Sequence, residues 1–176
     1  RLLVSLQAQT HRDFELIVVD QNSDTRLKPV LEPYLNDFSI LHLHVPQERG
    51  ASKARNVGLM YASGNAVTCP DDDCWYPPLL LEQVACFLNE HPDVDGVSGR
   101  LASEPVQLER SRKNPTSSGY FIKTQVQVLK VPGMVGLFLR TPVVEKVGSF
   151  DETLGPGAGT AWSPGRWWPP ASTTRS

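Results

Sequence analysis

Short apolar runs that stop abruptly at clusters of polar side chains constrain this chain more than any other feature. Phe14-Glu15-Leu16-Ile17-Val18-Val19 is rich in β-branched residues, almost continuously apolar, and ends at Asp20-Gln21-Asn22-Ser23-Asp24. A parallel strand buried on both faces reads this way, whereas a strand with one wet face alternates. The pattern recurs: Ile40 to Val45 is a second strand, Asn65 to Cys69 a third that runs into Pro70-Asp71-Asp72-Asp73, and Val94 to Ser98 a fourth. Between them lie stretches of helical spacing. Leu27, Val30, Leu31, Tyr34 and Leu35 form one, distorted by Pro33. Another opens at Gly50-Ala51-Ser52 and runs through Tyr61, with Gly64 as its stop. A third is started by Pro77-Pro78, presents Leu80, Val84, Phe87 and Leu88, and is closed by His91-Pro92. This alternation predicts βαβ units, hence an α/β fold with a mostly parallel sheet flanked by helices.

The ends read differently. Leu2, Leu3 and Leu6 share one face of a helix that Gln9-Thr10 leaves. Arg100 to Ser118 is polar and aperiodic, a loop, followed by expected strands at Tyr120 to Val131 and Val135 to Leu139. Thr141-Pro142 starts and Gly148 ends a short helix carrying Val143, Val144 and Val147, and Phe150-Asp151-Glu152 opens a glycine-rich loop. From Ser163 the text turns to Pro, Arg, Trp, Ser and Thr without period. The expected domain is therefore 1–162, with 163–176 an irregular tail outside it.

Composition removes several function classes. With 17 Lys plus Arg against 19 Asp plus Glu and a net charge of -2, there is no basic field to hold a phosphate backbone, so nucleic acid is not an expected partner. No run reaches the ~18 to 20 apolar residues of a membrane span, since Leu79 to Leu88 is interrupted by Glu82 and Gln83. Cys69, Cys74 and Cys86 are odd in number and fit no CxxC or zinc spacing, which favours reduced thiols and a cytoplasmic location. The chain starts at Arg1 without a signal peptide and reads as a fragment, with membrane association left to regions outside it.

Open α/β sheets place ligands at the carboxyl ends of their strands, and the chemistry-bearing residues concentrate there. Asp71, Asp72 and Asp73 follow a strand directly, and neighbouring carboxylates repel unless a cation or solvent screens them. They are either ligands for magnesium or manganese, which take one or two carboxylates and keep other positions for water and phosphate, or a solvated acidic loop before Pro77. Asp20 is either an acceptor for a ribose or base edge or the Asx turn that closes its strand. Ser52, Arg55 and Asn56 share a helical face close to a helix start, where N–H groups and cations suit phosphate, or form a solvated basic turn. No GxGxxG or P-loop pattern is present, so a dinucleotide or Walker site is unsupported.

Five segments in order carry a resemblance: Ser5 to Thr10, Phe14 to Asp20, Arg49 to Leu59, Pro70 to Pro78, and Val147 to Glu152. Together they resemble the family 2 glycosyltransferases, inverting, nucleotide-sugar-dependent enzymes of the GT-A fold, over roughly residues 1 to 162. The resemblance implies a divalent cation, Mg or Mn, held by Asp73 and Asp71, with Asp71 or Asp72 near the donor ribose. It places Asp20 and Gln21 where family members hold base and ribose, Gln21 standing where an acidic residue is frequent, and makes Arg55 a donor-side neighbour. The opening strand that precedes the first helix in the family is missing here.

The implied reaction moves a sugar from a nucleoside-diphosphate sugar to an acceptor hydroxyl with inversion; the sequence does not specify the acceptor. The family's base lies in a Glu-Asp type element beyond the glycine-rich loop that Leu154 to Trp162 resembles. Ser163 to Ser176 contains neither residue, so the catalytic base is unassigned and the chain alone is expected to transfer sugar poorly or not at all. Two other functions stay open: a non-catalytic nucleotide-binding domain, and a metal-dependent phosphohydrolase acting through Asp71 to Asp73.

Overall fold

The computed structural model describes residues 1–99 and 135–154. Two compact units divide the chain, Arg1–Arg12 with Asn65–Thr141 and Asp13–Gly64 with Pro142–Ser176. The expected loop at 100–118, the strand at 120–131 and the tail boundary at 162 lie outside the described residues.

In the unit that starts at Asp13, β1 (Glu15–Asp20) pairs in parallel with β2 (Ser39–His44), residue for residue from Glu15 opposite Ser39 to Asp20 opposite His44. The parallel pairing expected of a βαβ unit is present. β1 is half-buried along Glu15 to Val19 and fully buried only at Asp20, because β2 is its one partner among the described residues. The connection contains α2 (Lys28–Leu31) and a 3-10 turn at Glu32–Tyr34. Pro33 falls in the first turn of that 3-10 segment, where its missing N–H costs nothing, so the distortion expected at this proline becomes a clean change of helix type. Leu31 and Phe38 are the buried apolar residues here, and the Phe38 ring lies 5.2 Å from Phe14.

The helix α3 (Ala51–Leu59) packs on β1 through Gly58, where an added Cβ would sit 3.4 Å from Val19 Cγ2. It ends two residues before Tyr61. Gly64 is not its cap: the Gly64 and Ser63 N–H groups and the Ser63 hydroxyl all donate to Glu15 Oε1, at 2.7 to 3.1 Å. The bonds from Ser63, led by its backbone N–H, hold the Glu15 carboxyl below its ordinary value.

In the other unit α1 (Leu2–Gln7) precedes a three-stranded sheet with order β3, β5, β4: β3 (Ala66–Val67), β4 (Gly96–Ser98) and β5 (Leu137–Arg140). The expected strands at 65–69 and 94–98 are shorter than their apolar runs. β3 and β4 run in the same direction, as a crossover through α4 (Leu80–Glu90) requires, but β5 is inserted antiparallel between them. Gly96 makes that insertion possible, since a Cβ there would collide with the Phe138 carbonyl oxygen and lie 2.9 Å from Leu139 Cδ2.

Leu6, Tyr76, Leu88 and Phe138 are buried, whereas Leu80, Val84 and Phe87 of the expected α4 face are only half-buried. Arg140 fastens the end of α4, donating to the carbonyls of Leu88, His91 and Val94. A cation on the last carbonyls of a helix also opposes its dipole favourably. Strand β5 leads into α5 (Thr141–Val147), after which Gly148 adopts φ 90°, the left-handed stop expected from the sequence. No helix among the described residues is long and apolar enough to cross a membrane.

Candidate functional site

Asp20 closes β1 with its carboxylate enclosed by donors. It is 1% exposed. The Asn22 N–H and the Asn22 side-chain amide donate to Oδ1 at 2.9 and 2.7 Å, and His42 Nε2 lies 3.0 Å from Oδ2. His44 Nε2 lies 2.8 Å from the Asn22 carbonyl oxygen. Burial alone would raise the Asp20 pKa, but the bonds from Asn22 and His42, with His44 nearby, hold the carboxyl below its ordinary value. The bond from the Asn22 N–H forms an Asx turn, the local alternative left open by the sequence; the Asn22 side-chain amide reinforces it and His42 extends the cluster across the strand pair. Sequence reasoning missed His42. Its alternation with His44 was visible, but the β1–β2 register that brings it to Asp20 was not.

Gln21 turns toward α3, its Nε2 donating to the Gly50 carbonyl oxygen at 3.0 Å. Gly50 has φ 115° and precedes the helix, a conformation L side chains rarely adopt, so the strand-end cluster and the α3 entry are tied at a backbone point that favours glycine. The face of α3 that suits phosphate by composition is occupied by the chain's own segment 150–154. Ser52 donates to the Leu154 carbonyl oxygen at 2.8 Å. The Asn56 amide pairs with Phe150 on both sides, accepting its N–H at 2.8 Å and donating to its carbonyl at 3.0 Å, and also donates to Glu152 Oε1 at 2.9 Å. Arg55 stacks over the Phe150 ring, 5.6 Å from its centre. Asp20, Gln21 and Arg55 thus belong to one unit, linked through Gly50 and α3.

The acidic turn belongs to the other unit, and Asp71, Asp72 and Asp73 are all exposed. The Cys74 N–H donates to the Asp71 carbonyl at 3.2 Å. Burial, followed by the Asp71 charge, pushes the Cys74 thiol up, so it stays protonated and is a poor metal ligand. The donors on offer are carboxylate oxygens, which fit a hard cation such as Mg²⁺ or Mn²⁺ that takes one or two of them and leaves its other positions to water and phosphate. Among the described residues, no group of three or more His, Cys, Asp or Glu side chains is assembled to enclose a metal unaided.

Gln9, read in the sequence as the exit of α1 and as part of the Ser5 to Thr10 segment but given no role, is the most enclosed polar residue near this turn, at 1% exposure. Its Nε2 donates to the carbonyls of Ser5, Tyr76 and Pro77, and its Oε1 accepts the Leu81 N–H at 3.1 Å. α4 has no side-chain cap at Leu79, and Gln9 satisfies one of its orphan N–H groups from 72 residues away.

A model of the glycosyl transferase family 2 matches residues 1–139. The glycosyltransferase AglE of Haloferax volcanii is 26% identical over 162 residues, covering 91% of this chain and 53% of that protein. The putative colanic acid biosynthesis glycosyl transferase WcaA of Escherichia coli K12 is 30% identical over 138 residues, covering 72% of this chain and 48% of that one. Among solved structures, Staphylococcus aureus TarS 1-349 in complex with UDP-GlcNAc superposes with a TM-score of 0.64 at 24% identity, over 89% of this chain and 46% of TarS. The chain spans about half the length of the curated relatives AglE and WcaA. The GT-A-like α/β fold is shared with TarS, and a match that runs through α1, the Asp20 strand end, α3 and the acidic turn makes this chain a member of glycosyl transferase family 2.

Proposed function

We propose that the chain forms the donor-binding part of an enzyme that transfers a sugar from a nucleoside-diphosphate sugar to an acceptor hydroxyl with inversion. The observation that carries this reading is the buried Asp20 carboxylate, fixed in direction at the carboxyl end of a parallel strand and joined through Gln21 to the entry of α3. Family membership and the fold shared with a protein solved with UDP-GlcNAc support the donor class.

In this reading Asp20 and Gln21 meet the base and ribose, Arg55 lies on the donor side, Asp71 or Asp72 approaches the ribose, and Asp73 with Asp71 would hold the cation. The cation, when bound, stabilises the negative charge that grows on the leaving diphosphate. The C–O bond between sugar and diphosphate breaks with its electron pair going to the diphosphate. The acceptor oxygen forms the new bond from the opposite face and loses its proton to a base.

That base is not assigned within this chain. No Asp or Glu follows Glu152 in the sequence. Asp151 Oδ1 accepts from the Thr153 hydroxyl and N–H, which hold its pKa below the ordinary value and make it a weaker base. Glu152 is engaged by Asn56. The 176-residue chain is therefore expected to bind donor better than it turns it over. The odd count and spacing of Cys69, Cys74 and Cys86, which fit no CxxC or zinc pattern, support a reducing, cytoplasmic setting.

Calorimetric titration with UDP, in Mn²⁺ and in EDTA, tests the reading. UDP is expected to bind more tightly with the ion, and Asp73→Ala to remove that increment while leaving ion-free binding intact. UDP binding that ignores Mn²⁺, or an Asp73→Ala protein that responds like the parent, would overturn the assignment of the acidic turn.

A further inference from the structure

The acidic turn has exposed carboxylates, yet both of its feet are fastened to buried atoms. Thr68 precedes the turn and Tyr76 follows it, and their hydroxyl oxygens lie 3.5 Å apart. Tyr76 is 5% exposed, donates its hydroxyl to the Val135 carbonyl at 2.8 Å, and stacks at 5.9 Å on Phe138 of β5. Its backbone is held from the other side by α1: the Tyr76 N–H donates to Ser5 Oγ at 3.0 Å, and the Tyr76 and Pro77 carbonyls accept from Gln9 Nε2 at 3.4 and 2.8 Å. Gln9 Oε1 then takes the Leu81 N–H. Ser5 also donates to the Leu2 carbonyl within α1, which fixes the hydroxyl that accepts the Tyr76 N–H. Gln9 shares the Pro77 carbonyl with the Leu80 N–H, which reaches it at 3.0 Å, and the Thr10 N–H reaches the Pro78 carbonyl at 2.9 Å, so α1 and its exit hold both carbonyls of the proline pair.

We propose that Gln9 and Ser5 are positioning residues for the cation-binding turn, acting through the Tyr76–Pro77 backbone they grip. This rests on the reading of Asp71 to Asp73 given above and adds to it the residues that set where those carboxylates stand. The physical argument is one of reach. A hard cation shared between one or two carboxylates and a diphosphate requires oxygens placed to a fraction of an ångström, and exposed side chains on a seven-residue connection cannot supply that placement themselves. The burial of a polar amide with both its ends used, on segments far apart in sequence, supplies it. Loss of such supporting contacts weakens metal sites by roughly 10- to 100-fold without touching a ligand.

The test compares UDP affinity in Mn²⁺ and in EDTA for the full 176-residue chain carrying Gln9→Met, which removes every donor and acceptor of the amide, or Ser5→Ala, a milder loss that keeps the fold if Gln9→Met does not. Arg140→Ala serves as the comparison: it loosens the far end of α4 and lowers thermal stability, but touches neither foot of the turn. Both α1 variants are expected to bind UDP as the parent does in EDTA and to lose about tenfold of the Mn²⁺-dependent gain, while Arg140→Ala keeps the whole gain. A parent that gains nothing from Mn²⁺ sinks the reading of the acidic turn and this inference with it. A parent that gains, beside Gln9→Met and Ser5→Ala proteins that gain as much, overturns the inference alone. So does an Arg140→Ala protein that loses the gain equally, because any destabilisation would then do.

Discussion

Replacing Asp20 with Asn changes one oxygen to a nitrogen in a site where three donors converge. The carboxylate accepts from the Asn22 N–H and side-chain amide on one oxygen and from His42 on the other. An amide offers one acceptor oxygen. If that oxygen faces the two Asn22 donors, the new NH2 meets His42 Nε2, which must then present a lone pair rather than a proton. Both Asn22 bonds survive as neutral ones, each weaker by about 1 kcal/mol than its charge-assisted counterpart, and the His42 contact is at best kept. The expected cost at neutral pH is thus about 2 to 3 kcal/mol.

The sign of its pH dependence follows from the parent. The folded-state pKa of Asp20 lies below its ordinary value of 3.8, so the carboxylate's contribution is present above pH 3.8 and is lost as pH falls through the lowered folded value. Asn has no such titration. The shifts of Glu15, Asp24 and Asp151 occur in both proteins and cancel in the difference. Urea denaturation of parent and variant at pH 7, and then in steps downward across pH 3.8, should show a stability gap at pH 7 that narrows in the steps below pH 3.8. A gap equally wide at the acid end would refute the assignment of the enclosed carboxylate as ionised, and the absence of a gap at pH 7 would refute the geometry.

Asn56→Ala removes the pairing with Phe150 and the bond to Glu152, about 1 kcal/mol for each of three bonds, so the 150–154 segment should open on the order of a hundredfold more often. Hydrogen exchange at the Phe150 amide reads this directly, and unchanged protection there would count against the clamp. Gly96→Ala should destabilise by about 3 kcal/mol, the upper part of the overpacking range, because the atoms its Cβ meets include the Phe138 carbonyl oxygen and Leu139 Cα, which cannot swing aside. A thermal melt equal to the parent's would show that β4 and β5 yield more easily than their spacing allows.

The elements that local pattern could reveal were those whose cause is local. The β1 run, the change of helix type at Pro33 and the left-handed stop at Gly148 each follow from a residue's own backbone preference or from period. The insertion of β5 between β3 and β4 has no such cause. Its apolar run reads the same at the edge of a sheet or inside one, and the feature that admits it, the missing Cβ of Gly96, sits about forty residues away in sequence and only there becomes a requirement. Strand order is a property of pairs, and a single sequence presents one member at a time.

The same distinction decides what could be read of the site. Helical spacing shows that Ser52, Arg55 and Asn56 share a face and that the face is polar, and from composition an anion is a fair occupant. Spacing cannot say whether that face meets a ligand or the chain itself, because a backbone carbonyl and a phosphate oxygen ask for the same donors. Here Ser52 and Asn56 satisfy carbonyls of Leu154 and Phe150. Gln9 is the converse: an amide at a helix end whose importance lies in the Tyr76 and Pro77 carbonyls and the Leu81 N–H, which it meets some seventy residues later. Its amide answers these groups beside the bonds the segment makes for itself, such as the Leu80 N–H to the Pro77 carbonyl, so no pattern local to either segment announces the pairing.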